Sequence, residues 1–412
     1  MTDVIVAVLA TLDSKNDEAR FVCEVLTQAG VKPCLIDLSL RPHNIAGADH
    51  SGGDLAKAAG STWVGLGALD RAKAGDLMIA GATKILQDLR SKGNLSGTIG
   101  LGGANGTSMG CTVMRSLPPL FPKVMVSAVA ATAAVQWYVA ESDIAMFPSI
   151  GDVAMNRITR AVIQNAATAT AAMAQSWAQQ DHQKSATPLI GVSTFGVTAP
   201  CVDHITDRLT AAGHEVIEFH ASGPGGKALE SLSKLGQLSG VIDVTTHELA
   251  DLIVDGVYSS GDGRLREAGA AALPQVVVPG AIDFSNFWVG HIPEKFKARA
   301  FFQFNAQNIL MRTNADEMQA IGKLMAERLN AAKGTVKVLI PSLGFSENTK
   351  RMTHDINGIE VGPWSQPGVD KVFTKTLCDN MVQNQIQVLD LHINDPAFAD
   401  ACVDAYLEIS KS

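Results

Sequence analysis

The sequence contains no CxxC, HxH or HExxH pair, so neither a dithiol redox motif nor a helix-borne zinc site is written into it. Its six cysteines (Cys23, Cys34, Cys111, Cys201, Cys378 and Cys402) are scattered, as expected for reduced thiols in a reducing compartment. Charge is sparse: only 18% of residues are charged, with 33 Lys and Arg and a net charge of -8. With no basic run and a pI near 5.7, no nucleic-acid partner is expected. The apolar start lacks a basic n-region, so it is not read as a secretory leader. No stretch offers the about 20 predominantly apolar residues of a membrane span. Residues 124–140 carry Ser, Thr and Gln, and residues 161–180 are full of Ala, Thr, Asn and Gln. The expectation is a cytoplasmic protein without a membrane partner.

What is present is a duplicated plan. Val4–Ala10 is a short continuous apolar run, followed by a polar loop, an amphipathic stretch closed by Ala29-Gly30, and a second apolar run. From Leu189 the same order restarts and closes on Ala212-Gly213. Buried apolar strands alternating with helices indicate parallel sheets covered on both faces. The predicted fold is α/β, with two Rossmann-like doubly wound domains, residues 1–184 and 185–412, and an interdomain cleft. The polar stretch 179–188 reads as the join.

In such sheets ligands gather beyond the carboxyl ends of the strands, so the loops there carry the candidate chemistry. Gly100-Leu-Gly-Gly-Ala-Asn-Gly-Thr-Ser108 can turn backbone N–H groups and a helix start toward an anion, with Thr107 as a hydroxyl ligand. Thr11-Leu-Asp-Ser-Lys15 offers a carboxylate and an ammonium group. Thr194, Phe195 and Thr198 occupy a third loop, with Cys201 in the first helical turn, where a thiolate is stabilised. Ser222-Gly-Pro-Gly-Gly-Lys227, after His220, looks like a further anion loop through Gly225 and Gly226.

In Thr245-Thr-His-Glu-Leu-Ala-Asp251, Glu248 and Asp251 share a helix face and suit acid–base work. Asp283, Asn286, His291 and Lys295 form another polar set, and His392 opens the last loop. Helices are expected at Val153–Gln180 and at Thr313–Ala332, the latter capped by Thr313.

These loops resemble an uncharacterised two-domain family of bacteria and fungi, related to the ATP-binding N-terminal half of the tomato mosaic virus resistance protein. The matching segments are Phe195-Gly-Val-Thr-Ala-Pro-Cys-Val, Val276-Val-Val-Pro-Gly-Ala-Ile-Asp, Pro293-Glu-Lys-Phe, Leu310-Met-Arg-Thr and Leu391-His-Ile-Asn-Asp-Pro-Ala-Phe-Ala-Asp. The resemblance spans about residues 3–410. It implies Mg-ATP on the first domain, held by Thr11, Asp13, Lys15, Gly102, Gly103, Asn105, Gly106 and Thr107, and it implies self-association into a homo-oligomer. Ala104 and Asn105 replace a Ser and a Gly usual in the family, and the stretch 344–368 departs from the family's short connection and is expected to reshape a substrate mouth.

The function expected is a nucleotide-binding enzyme acting on a small polar acid at the interdomain cleft. Glu248, His291 and Lys295 would handle that acid, with Thr194, Phe195, Thr198, Gly225, Gly226, Asp283 and Asn286 holding it. Two alternatives stand beside this. One is a nucleotide-independent hydrolase or lyase, possibly metal-assisted, using His220, Glu248, Asp283 and His392, with Cys201 a separate catalytic candidate. The other is a non-catalytic, nucleotide-responsive interaction protein.

Overall fold

Strand β1 (Ile5–Ala10) alternates its side chains between two cores, and this sets the layering of the first half of the chain. Ala7 and Leu9 pack toward the helices Gly52–Ala58, Arg71–Ser91 and Ala104–Arg115. Val6, Val8 and Ala10 pack toward the helices Leu12–Gln28 and Arg157–Gln179. The computed structural model describes residues 4–180, 187–382 and 385–411. Two units emerge, Met1–Gln183 and Lys184–Ser412. The join expected at 179–188 lies mostly outside the described residues.

In the first unit, β2 (Lys32–Asp37), β3 (Gly97–Gly102), β4 (Lys123–Ser127) and β5 (Ala145–Pro148) complete a sheet of order β2-β1-β3-β4-β5. Every pairing in it is parallel. The chain runs one way from β1 to β2 and the other way from β3 onward, so the topological switch falls between β1 and β3.

The second unit repeats this plan. Its strands are β6 (Leu189–Thr194), β7 (Glu215–His220), β8 (Gly240–Thr245) and β9 (Gln275–Gly280). After these come β10 (Phe284–Trp288), β11 (Phe301–Gln303), β12 (Asn308–Arg312) and β13 (Val336–Pro341). The last are β14 (Met352–His354), β15 (Glu360–Pro363) and β16 (Ile386–Leu389). The parallel sheet runs β16-β13-β9-β8-β6-β7, which is the first unit's order with one strand added. Its switch lies between β6 and β8.

Both helices that follow the leading strands end alike. Ala29 and Ala212 are their C-caps, and Gly30 (φ 75°) and Gly213 (φ 86°) take the left-handed conformation that glycine adopts without strain. The expected helix at 153–180 begins only at Arg157, after Asn156 caps it. The helix expected from Thr313 is capped instead by Asn314, in a reciprocal box with Glu317. Thr313 turns inward to accept from Arg312 Nη1 at 2.9 Å.

One element was not expected. β10, β12, β11, β14 and β15 form a separate antiparallel sheet, and the stretch 344–368 supplies its β14–β15 hairpin. Among the described residues no helix is long and apolar enough to cross a membrane.

A Cβ on Gly102 would lie 2.6 Å from Gly106 Cα, so β3 and its helix meet only because Gly102 has no side chain. Gly102→Ala is expected to lower stability by about 1–3 kcal/mol as overpacking. Gly103→Ala, whose Cβ meets open space, should cost far less. Urea unfolding midpoints of the two variants check this.

Candidate functional site

A cavity of about 630 Å³ opens at the β1/β3 switch of the first unit. Thr11, Asp13, Ser14 and Lys15 line it from the end of β1, and Gly102 to Gly106 line it from the end of β3. The sequence-derived nucleotide set therefore meets in one place, except Thr107. That side chain is fully buried and bonds Gly102 O at 3.2 Å and Ser127 Oγ at 2.7 Å, so it braces the loop from behind.

The two helix starts at this cavity differ. Leu12 N–H donates to Asp37 Oδ1 at 3.2 Å and Asp13 N–H to Ser39 Oγ at 3.0 Å, so the first helix's leading donors are satisfied internally. The helix Ala104–Arg115 has Gly103 as N-cap and no side-chain cap, which leaves its N-terminal donors and dipole facing the cavity. Asp13 Oδ1 accepts from Ser14 Oγ, and Ser14 Oγ lies 3.0 Å from Thr11 Oγ1, a set of hard oxygen ligands suited to magnesium.

Lys15 Nζ is held by Val153 O. Two further cations, Arg41 and Arg71, also line the cavity. The sequence reading missed both. Arg41 follows β2 by a few residues, so the carboxyl-end rule pointed to it. Arg71 begins a later helix, Arg71–Ser91, with no local signal.

In the second unit the candidate residues are mostly consumed by packing. Glu248, the leading acid–base candidate, is fully buried: Oε2 accepts from Arg264 Nε at 2.6 Å and Oε1 from Gly223 N–H at 2.7 Å. The expected anion loop thus holds the protein's own carboxylate. A Cβ on Gly226 would sit 2.1 Å from Glu248 Oε2, and one on Gly225 1.9 Å from His220 O, so both glycines serve close approach.

Arg264 is itself fully buried and also binds Asp243 through both Nη atoms and Glu230 at 3.3 Å. Burial raises the carboxyls of Glu230 and Glu248 above their usual range. Burial also opposes the arginine's charge, but Asp243, Glu248 and Glu230 together hold Arg264 well above its ordinary pKa.

Cys201 is in the apolar core beside Cys402 rather than at a reactive surface. Thr198 Oγ1 bonds Thr245 Oγ1 at 2.7 Å. Asp283 Oδ2 accepts from Ser346 Oγ and Trp364 Nε1, and His392 Nε2 lies 3.0 Å from Ser346 O. Asn286 donates from its backbone and side chain to Asp251, at 2.6 and 3.1 Å.

Thr194 remains half-buried at the end of β6, paired in register with His220. His220, His291 and Lys295 stay exposed, and partial desolvation of the His220 ring lowers its pKa. His291 and Lys295 lie between β10 and β11, and no hydrogen bond or ion pair among the described residues joins them to Glu248. Among the described residues no three His, Cys, Asp or Glu side chains gather as a metal site.

The second unit's switch is filled rather than open. Phe195, from the end of β6, stacks on the fully buried His247 with ring centroids 4.6 Å apart, and Phe284 and Tyr258 close round the pair. Burial depresses His247 to about 3 and raises Asp251, 3.9 Å from it, to about 7.

The fold and this cavity define a two-unit, mainly parallel α/β protein with a cationic, glycine-edged cavity at its first switch point. The chain belongs to the uncharacterised protein family UPF0261, whose N-terminal domain model matches residues 4–179 and whose C-terminal domain model matches residues 187–410. It is similar to a UPF0261 protein of Rhizobium meliloti (strain 1021), 36% identical over 98% of both chains. It is also similar to the ToMV resistance protein Tm-1(GCR237) of Solanum lycopersicum, 38% identical over 77% of this chain and 42% of the tomato protein. Among solved structures, a UDP-N-acetylglucosamine 2-epimerase overlaps 68% of this chain and 79% of its own, at 8% identity and a TM-score of 0.24, a likeness too slight to bear on function.

Removing one partner of a buried ion cluster costs about 3–5 kcal/mol, so Glu248→Ala should destabilise by about that much in urea unfolding. The exposed Glu294→Ala should cost almost nothing in the same assay. His247 has an ordinary pKa of 6.5 when unfolded and about 3 when folded, so its contribution is complete above pH 6.5 and is lost as pH falls toward 3. Asp251 works in the opposite sense, binding its proton more readily when folded, and is common to both proteins compared. His247→Leu should therefore lose less stability than the parent between about pH 7 and pH 5, measured by urea midpoints.

Proposed function

We propose that the first unit binds Mg-ATP through its phosphates and that the protein is a nucleotide-dependent enzyme. The observation that carries this reading is the uncapped start of the helix Ala104–Arg115 facing a 630 Å³ cavity that also receives Lys15, Arg41 and Arg71. Backbone donors, a helix dipole and cations at one point are the ordinary means of holding a phosphate.

The residues fit the group. Gly103 leaves room against the loop, and Asp13, Thr11 and Ser14 would offer oxygen ligands to a magnesium ion. Bound magnesium supplies charge neutralisation on the phosphate oxygens. The chain's own part is to orient the phosphates on the loop and to place Lys15, Arg41 and Arg71 against their charge.

The acceptor in this reading is a small polar acid. Of Glu248, His291 and Lys295, first assigned to it, His291 and Lys295 keep solvent access and remain its candidate handlers. The internal roles of Glu248, Cys201 and His392 weigh against a nucleotide-independent hydrolase or lyase built on them. Six free thiols support a reducing, cytoplasmic setting, and self-association completes the proposal.

Calorimetric titration with Mg-ATP tests it. Gly103 has φ -71° and open space at its Cβ, so Gly103→Phe fills the cavity without straining the backbone. Saturable binding in the parent that disappears in a still-folded Gly103→Phe is expected. A parent that takes up no Mg-ATP would end the reading.

A further inference from the structure

We infer that the cavity of the first unit recognises a polyphosphate chain and not a nucleobase, an inference that rests on the phosphate-binding reading above. Its cations are unusually available. Arg41 is fixed by carbonyls alone, Nη1 to Leu40 O at 3.2 Å and Nη2 to Leu69 O at 3.1 Å. Lys15 is likewise tied to a carbonyl, Val153 O. Among the described residues the exposed Arg71 side chain makes no hydrogen bond or ion pair, and neither Lys15 nor Arg41 forms an ion pair, the carboxylate of Asp70 acting on Arg41 only through its field. Three cations therefore line the cavity beside one lining carboxylate, Asp13, with Asp70 acting on Arg41 from outside the lining. Positions fixed by carbonyl dipoles cost little further ordering when an anion arrives.

The means of reading a base are missing from the same wall. Among the described residues that line the cavity, Leu40 is the one large apolar side chain and none is aromatic. Its single amide side chain, Asn105, directs Nδ2 toward Met109 Sδ at 3.7 Å instead of into the cavity. A base is discriminated by apolar planes and convergent edge hydrogen bonds, and a phosphate by N–H donors and cations. This wall holds only the second kind. The terminal phosphates occupy the glycine loop and the cations, and the nucleoside end is left to solvent.

The test is calorimetric titration of the full chain with magnesium tripolyphosphate, Mg-ATP, Mg-GTP and adenosine in turn. Dissociation constants for the three phosphate ligands within about threefold of one another, a difference under ~1 kcal/mol, with no heat from adenosine, are the expected result. Mg-ATP bound more than about tenfold tighter than tripolyphosphate or Mg-GTP, or adenosine binding alone, would overturn the inference while leaving a nucleotide site standing. Failure of all three phosphate ligands would sink the inference and the reading beneath it together. Arg71→Gln, at an exposed position where folding is not at stake, should weaken tripolyphosphate and Mg-ATP by the same factor, on the order of tenfold. Unchanged binding of both, or unequal loss, counts against it.

Discussion

Parallel strand pairing is the constraint on which the rest depends. Strands joined only in parallel carry all their carboxyl ends to one edge of the sheet, and with them every loop that begins there. The reversal of winding between β1 and β3 then parts two of those loops. The gap between Thr11–Lys15 and Gly102–Gly106 is a by-product of chain order, and chemistry is added to it by side chains. Arg41 and Arg71 enter the gap from segments that contribute little to the sheet itself.

The two units show what one plan does under different fillings. At the first switch, glycines and cations leave a space. At the second, Phe195 and His247 occupy the corresponding position, and the nearby glycine loop closes on Glu248 instead of on a ligand. The difference comes down to a few residue choices. After the leading strand the first unit places Thr11 where the second places the ring of Phe195, after the next strand Gly103-Ala104 stands where the second unit has Thr246-His247, and Gly226 admits a carboxylate from within the chain. Duplication of the framework did not duplicate the site.

The strand–helix alternation was legible because buried parallel strands are short continuous apolar runs and their helices close on glycine, as Gly30 and Gly213 do. The first-unit loops were legible for the same reason: a strand end followed by Gly-Leu-Gly-Gly or by Asp-Ser-Lys announces its position. Arg71 was not, because its place depends on how a helix some thirty residues beyond β2 packs back. The antiparallel sheet was missed because its strands run three to five residues and are broken by turns, too short for a period to register. Glu248 was misjudged for a subtler reason. A carboxylate after a strand reads identically whether it faces solvent or a buried guanidinium, and Arg264 lies in a turn that no local pattern links to it.

The Arg264 cluster has a dynamic consequence. It binds β8 through Asp243, the helix Pro224–Lys234 through Glu230, the helix Glu248–Val254 through Glu248, and the turn that carries Arg264 itself. No one of these segments can swing away without stranding a charge in an apolar interior, so they open together or not at all. Amide hydrogens in these four segments should therefore exchange slowly and as one group.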